Sequence, residues 1–219
     1  MVELPYLDVV QRLALCTAGT RLRMRFDGIV AAATIGPLLH SSYTQLISCT
    51  SNADVLLHRA ERFTQQRLEA LIKTDGHGHD GKPAVLFLSP HDDEASQMAL
   101  GFFRHLTGDG AVAWSGGSEP GHEITHSAIS VMTERDIDIS HEFPTPRTSE
   151  IAQAADVVIT IGCAESCPAV PGKRHLDWRL DDTTSHRIED IRQVRDTIEQ
   201  HTRNLVSDLR GEPTPCTAP

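Results

Sequence analysis

Ala84-Val-Leu-Phe-Leu-Ser-Pro-His-Asp-Asp-Glu-Ala-Ser-Gln-Met-Ala-Leu-Gly-Phe-Phe103 changes character twice along its length. Ala84 to Leu88 is a short continuous apolar run, the pattern of a parallel strand covered on both faces. Met98, Phe102, Phe103 and then Leu106 fall on one helical face. Between them lies a short polar stretch, so the segment reads as strand, loop and helix. Downstream the alternation repeats. Ala111-Val-Ala-Trp114 is a second strand candidate, ending in the turn-like Ser115-Gly-Gly-Ser118, and a helix near residues 127–135 follows. Asp156-Val-Val-Ile-Thr-Ile161 is another buried strand candidate, and His175-Leu-Asp-Trp178 a short fourth. Ile188, Ile191, Val194, Ile198, Leu205 and Leu209 mark a long amphipathic helix at the end. Strands alternating with helices predict an α/β domain with a parallel sheet.

The chain before Ala84 has a different period. Residues 1–73 read as three helices: about Leu7 to Phe26, ending near Asp27-Gly28; about Pro37 to Ile47, with Pro37 in its first turn; and one capped by Ser51-Asn52, with Leu56, Ala60, Phe63, Ala70 and Leu71 on one face. Three short helices bury little surface alone, so they are expected to pack on a partner chain or on the rest of the molecule. Residues 74–83 are rich in Gly and polar groups and read as a linker, with His77 and His79 as solvated linker residues. The Pro-rich residues 211–219 read as a flexible tail. The net charge of -10 makes nucleic acid an unexpected partner, and no apolar run approaches the roughly 20 residues of a membrane span. The acidic N-terminus lacks the basic start of a signal peptide. The cysteines, Cys16, Cys49, Cys163, Cys167 and Cys216, are odd in number and scattered. A cytoplasmic location is therefore expected.

The order Leu86-Phe-Leu-Ser89, Ser96-Gln-Met-Ala99, Ser115-Gly-Gly-Ser-Glu-Pro120, Ile137-Asp-Ile139, Asp156-Val-Val-Ile-Thr160, Gly162-Cys-Ala-Glu-Ser-Cys-Pro168, Gly172-Lys-Arg174 and Asp177-Trp178 resembles the low-molecular-weight tyrosine phosphatase and arsenate reductase superfamily. The resemblance covers roughly residues 84–209. Leu39-His-Ser-Ser-Tyr43, Gln45-Leu46, Ala60-Glu-Arg-Phe63 and Gln66-Arg-Leu68 are similar to the three-helix extension of some actinobacterial-type members. The resemblance implies a four-stranded parallel sheet flanked by helices over residues 84–210, preceded by a three-helix domain over residues 1–73 that forms a homodimer.

In that superfamily the first strand enters a Cys-x5-Arg-Ser loop. Backbone N–H groups and a helix N-terminus cradle an oxyanion, the Arg clamps two of its oxygens, and the Cys thiolate attacks. Here Ser89 holds the Cys position and Ala95 the Arg position, with Pro90, His91, Asp92, Asp93 and Glu94 between and Ser96 after. Ser needs an adjacent base, Ala clamps nothing, Pro90 removes one N–H, and three carboxylates would repel an anion. Loss of a nucleophile alone costs about a million-fold in rate. Asp182 stands where the family places its general acid, although Thr183 replaces the following Pro. Cys163 and Cys167 match the position of the resolving thiol of arsenate reductases of this type; buried structural cysteines are the other reading.

His91-Asp92-Asp93-Glu94, His122-Glu-Ile-Thr-His126, and Asp181, Asp182 and His186 each follow a strand candidate. The carboxyl ends of strands in an open parallel sheet line one crevice, so His91, Asp92, Asp93, His122 and His126 are candidate ligands for a divalent metal. A solvated acidic loop is the plainer reading. His122-Glu123-x-x-His126 needs one continuous helix to act as a zinc-protease motif, which the preceding Gly and Pro oppose. Pro90-His-Asp-Asp-Glu94 is locally similar to the zinc loop of N-acetylglucosaminyl deacetylases, a family the rest of the chain does not follow.

The sequence thus predicts an arsenate reductase and phosphatase-like protein without the family's thiol chemistry, acting in binding or regulation with no required cofactor. One alternative is thiol redox activity through Cys163 and Cys167, with a thioredoxin-like or low-molecular-weight thiol partner. The other is a divalent-metal-binding protein or hydrolase using the loop carboxylates and histidines.

Overall fold

The structure, a computed structural model, describes residues 7–50, 52–76, 81–92, 94–163, 169–180 and 187–211. The chain divides into two compact units, Met1–His79 and Asp80–Pro219. The division falls inside the expected linker, residues 74–83.

The first unit holds α1 (Val9–Arg25), α2 (Ala32–Leu46) and α3 (Ala53–Thr74). Asp8 and Gln11 form a reciprocal capping box that starts α1. The Asn52 side chain accepts from the N–H groups of Asp54 and Val55 and starts α3. Helix α2 begins five residues before the expected Pro37, which lies inside it. The ring lies past the first turn and removes one ladder bond, the one an N–H at that position would donate to the Ala33 carbonyl. A buried face of Ile35, Leu38, Leu39, Tyr43 and Leu46 offsets that loss.

In the second unit, β1 (Ala84–Ser89), β2 (Val112–Gly117), β3 (Val157–Ile161) and β4 (Arg174–Trp178) form one parallel sheet in the order β2-β1-β3-β4. Helices α4 (Glu94–Thr107), α5 (His126–Thr133), α6 (Ser149–Ala154) and α7 (Ile188–Leu209) accompany it. Every residue of β1 is buried, while edge strand β4 is mostly exposed, so only the central strand needs an uninterrupted apolar run. Phe87 anchors the core between Phe103 and Trp178, at ring separations of 5.8 and 5.7 Å. The chain leaves β1 toward β2 on one side and later returns to β3 on the other. The crevice between the diverging loops therefore opens at the ends of β1 and β3.

Strand β2 runs past its expected end at Trp114, through Ser115 and two glycines. Gly116 and Gly117 pair with Leu88 and Ser89, and Gly117 bridges to Pro146. A side chain on Gly117 would put its Cβ 2.7 Å from the Asp92 nitrogen and 2.8 Å from the Pro90 oxygen. The glycine is there for close approach rather than for a turn. The short helix α6 carries too few apolar positions to show a period in the sequence.

Helix α7 is fastened to the end of α5 through Glu134. Arg192 donates to both Glu134 oxygens at 2.7–3.1 Å, and the buried Arg195 donates to Glu134 Oε2 and to the Val131 carbonyl. Hydrogen bonds from Arg192, then Arg195, hold the Glu134 pKa down at about 2. Arg195→Ala leaves a buried carbonyl unpaired and is expected to lower the unfolding free energy by about 3 kcal/mol. Arg192→Ala, on the exposed side of the same carboxylate, should cost much less than Arg195→Ala. Urea denaturation of the two variants checks the difference.

Candidate functional site

Ser89 ends β1 at the crevice and is 2% exposed. Its Oγ lies 3.1 Å from the Oγ of Ser96, in the first turns of α4. Ser96 in turn donates to Asp92 Oδ1 at 2.9 Å. Asp92 is fully buried, and its backbone has a φ of 48°. That left-handed conformation is rare for a residue with a side chain and is tolerated best by Asn and Asp. It turns the carboxylate into the protein. Asp92 Oδ2 accepts from Ser115 Oγ at 3.0 Å and from the Thr145 N–H at 2.7 Å, and the one hydrogen of the Thr145 hydroxyl is shared between Oδ2 at 3.1 Å and the Ser115 carbonyl at 3.0 Å. Behind Ser115, Gln97 Nε2 donates to Ser115 Oγ at 3.0 Å, and Gln97 Oε1 is buried with no hydrogen-bond partner.

A carboxylate with three neutral donors, a fourth shared with the Ser115 carbonyl, and no cation is solvated only in part. Burial pushes the Asp92 pKa up to about 7, and the donors from Thr145, Ser96 and Ser115 pull it back only partly. The expectation that Asp92 repels an anion from inside the loop is therefore corrected. Its charge faces a ring of hydroxyls behind the loop and is partly neutralised near pH 7.

The rest of the loop is held from the side of β2. Glu119 N–H donates to the Pro90 carbonyl at 2.9 Å, and Gly121 N–H to the His91 carbonyl at 2.8 Å. The exposed His91 places Nδ1 2.9 Å from the Glu119 carbonyl, which only accepts, so Nδ1 carries the hydrogen. Glu94 opens α4 and is half-buried. Ala95 packs its methyl against the apolar core of the sheet. Asp93, Cys167, Asp181, Asp182 and His186 lie outside the described residues.

Of the five candidate metal ligands, His91, Asp92, His122 and His126 are described and Asp93 is not. His126 starts α5 with Thr125 as its cap, so His122 and His126 do not share a helix. His91, His122 and His126 are exposed, whereas Asp92 faces the buried hydroxyls. Among the described residues, no group of three or more His, Cys, Asp and Glu side chains could hold a metal ion. Cys163, just past β3, is buried and disulfide-bonded; Cys16 and Cys49 are free thiols, so its partner lies outside the described residues. Cys163 Sγ lies 3.5 Å from the carbonyl of Leu88, the residue before Ser89. Among the described residues, no helix is long and apolar enough to cross a membrane.

Ser115, Thr145 and Gln97 went unseen in the sequence. Ser115 sits in the quoted Ser-Gly-Gly-Ser stretch and could have been found there, but nothing local marks Thr145.

These features define an α/β protein whose polar loop sits at the switch point of a parallel sheet, with a separate helical unit before it. Residues 15–72 match the protein-tyrosine-phosphatase-like N-terminal domain, and residues 84–214 match the low molecular weight phosphotyrosine protein phosphatase family. The chain belongs to that family. It is 33% identical over 125 residues to arsenate reductase 2 of Staphylococcus saprophyticus, covering 54% of this chain and 92% of that one. It is 31% identical over 128 residues to the glutaredoxin arsenate reductase of Synechocystis, covering 57% and 97% respectively. Among solved structures, the thioredoxin-dependent arsenate reductase of Corynebacterium glutamicum superposes with a TM-score of 0.80 at 32% identity, over 90% of this chain and 96% of that one.

The Asp92 pKa lies above the ordinary carboxylate value of 3.8. Its contribution to stability is therefore complete below about pH 4 and is lost as pH rises through about 7. Asp92→Asn keeps an acceptor for Thr145 and removes the titration. Its melting temperature, relative to the parent protein, is expected to rise between pH 5 and about 8. Paired thermal melts across that range check the sign.

Proposed function

We propose that this protein is an arsenate reductase and phosphatase-like family member that has lost the thiol chemistry of the oxyanion loop and acts by binding or regulation. One observation carries the reading. The nucleophile and clamp positions are held by Ser89, whose hydroxyl is tied to Ser96, and by Ala95, whose methyl belongs to the core. Without a guanidinium, an anion loses two charge-assisted bonds of roughly 1.5–3 kcal/mol each. Calorimetry with phosphate and with arsenate is expected to show no binding at millimolar concentration. Binding at millimolar affinity or better would return the loop to oxyanion chemistry.

A second reading is favoured by the disulfide at Cys163 beside the Leu88 carbonyl. Relatives named as thioredoxin-dependent and glutaredoxin arsenate reductases make a thioredoxin-like protein or a small thiol the natural reductant of such a bond. In a coupled assay with thioredoxin, arsenate turnover should be absent. Turnover that Cys163→Ser abolishes would put this second reading first.

The helical unit is proposed to mediate a homodimer. Val9, Val10 and Leu13 on α1 are 67–74% exposed, next to a groove of about 430 Å³ bordered by Leu57, His58 and the Arg21–Glu61 ion pair. Apolar side chains at that exposure are the usual mark of a surface covered by a partner. Leu13→Glu should convert a dimer to a monomer by light scattering; a monomeric parent protein would refute the assignment.

A further inference from the structure

We propose that the gap between edge strand β4 and helix α7 binds a free α-amino acid with an apolar side chain, held as its zwitterion. The site goes beyond the reading of the oxyanion loop and does not depend on it, because no residue of that loop lines the gap.

The gap follows from packing. Arg174, Leu176 and Trp178 are alternate residues of β4 and project on one side of the sheet. His201, Asn204, Leu205 and Asp208 recur at helical spacing and share one face of α7. Helix α7 packs chiefly on α4 and α5 and stands away from β4. A cavity of about 290 Å³ is left between them, open to solvent. Ligand pockets run from roughly 300 to 1,000 Å³, so this one fits a small molecule.

The lining divides by chemistry. Leu176 and Leu205 give aliphatic surface continuous with the core of the sheet. Trp178 stacks on His201 at 5.2 Å, with the ring planes 18° apart. Such surfaces favour a branched aliphatic or aromatic group. Toward the other end of β4, Arg174 Nη1 meets Asp208 Oδ2 at 2.7 Å, one charge from each wall. The pair is half-exposed, so rearranging it costs little.

Charge decides the class of ligand. The ion pair cancels, and burial lowers the His201 pKa from 6.5, so the imidazole is neutral at pH 7. The lining therefore carries no net charge. An anion alone would meet Asp208, and a cation alone would meet Arg174. An α-amino acid carries both charges on groups bonded to one carbon, and each meets its opposite. The last turn of α7 holds Asp208 and no basic residue, and Arg210 just beyond it donates to the Leu106 carbonyl. The partial negative charge of the helix end therefore adds to Asp208 in attracting an ammonium group.

Hydrogen-bonding groups of the lining are left over. Trp178 is 6% exposed, and a buried indole N–H usually finds an acceptor. Among the described residues nothing accepts from it, and neither nitrogen of His201 makes a hydrogen bond. Asn204 Oδ1 accepts from Gln200 Nε2 at 2.9 Å, while its own Nδ2 donates to no described residue. Donors thus outnumber acceptors, as a ligand with a carboxylate requires.

The test is an NMR titration of the nitrogen-labelled full chain with L-leucine. The chain has two tryptophans, Trp114 and Trp178, hence two indole N–H signals, assigned with Trp178→Phe. The Trp178 signal should shift and saturate with a Kd of about 0.1–1 mM, while that of Trp114, 1% exposed, stays in place. Isocaproate lacks the ammonium and isoamylamine lacks the carboxylate; each should bind at least about tenfold more weakly than leucine. Arg174→Gln and Asp208→Asn should each weaken leucine binding about tenfold, with the melting temperature nearly unchanged. A Trp178 signal that does not move by about 10 mM leucine overturns the proposal. So does either analogue binding as well as leucine, or either variant binding it as well as the parent protein. None of these results depends on whether the oxyanion loop binds phosphate or arsenate, which calorimetry decides separately.

Discussion

The buried carboxylate of Asp92 ties together three segments that are far apart in sequence. It joins the loop after β1, the end of β2 at Ser115 and the segment before α6 at Thr145. Its left-handed backbone lets the carboxylate point behind the loop, and Gly117 leaves the space for the loop to pack there. A side chain at Gly117 would collide with the Asp92 and Pro90 backbone, so the loop and the second strand constrain each other. With the loop anchored in this way, Ser89 and Ser96 come within hydrogen-bond distance at the mouth of the crevice.

The second unit was legible in the sequence because its core residues follow simple periods. The wholly apolar β1 announced a central strand, and the spacing of Ile188 to Leu209 announced α7 with the same bounds. The alternation of strands and helices gave the α/β class and the parallel sheet, and the family resemblance added its four strands; the strand order had no sequence signal, and β4 is exposed at most of its positions. Where local chemistry and packing disagreed, packing decided. Pro37 looks like a helix start, yet α2 begins at Ala32, and its buried face already includes Ile35 ahead of the proline. Ser115-Gly-Gly-Ser118 looks like a turn, yet its first residues are strand because β1 requires a partner out to Ser89.

The loop residues were named in the sequence, but not the directions in which they face. Ser89, Asp92 and Ser96 could be named from the loop pattern alone. A sequence of acids gives no sign of which way each one faces, and that depends on a single φ angle at Asp92. The partners Thr145 and Gln97 have no local signal, because they are defined only by the folded sheet. The histidines illustrate the converse. Three His residues at strand ends looked convergent in one dimension, but Thr125 caps α5 between His122 and His126 and separates the pair.

The position of Asp92 also changes why the loop should reject oxyanions. Read from sequence, repulsion by neighbouring acids stood beside the missing thiolate and the missing guanidinium. A carboxylate turned away from the crevice, with a pKa near 7, supplies little of that repulsion at neutral pH. What remains is the missing attraction. Two charge-assisted bonds from an arginine amount to roughly 3–6 kcal/mol together. The helix N-terminus and loop amides belong to the family loop as well and offset none of this, so the deficit is a factor of roughly a hundred to ten thousand in affinity, and it comes from Ala95 rather than from Asp92. The two positions therefore do separate things: Ala95 leaves the loop without a guanidinium, and Asp92 ties the loop to Ser115 and Thr145 from behind.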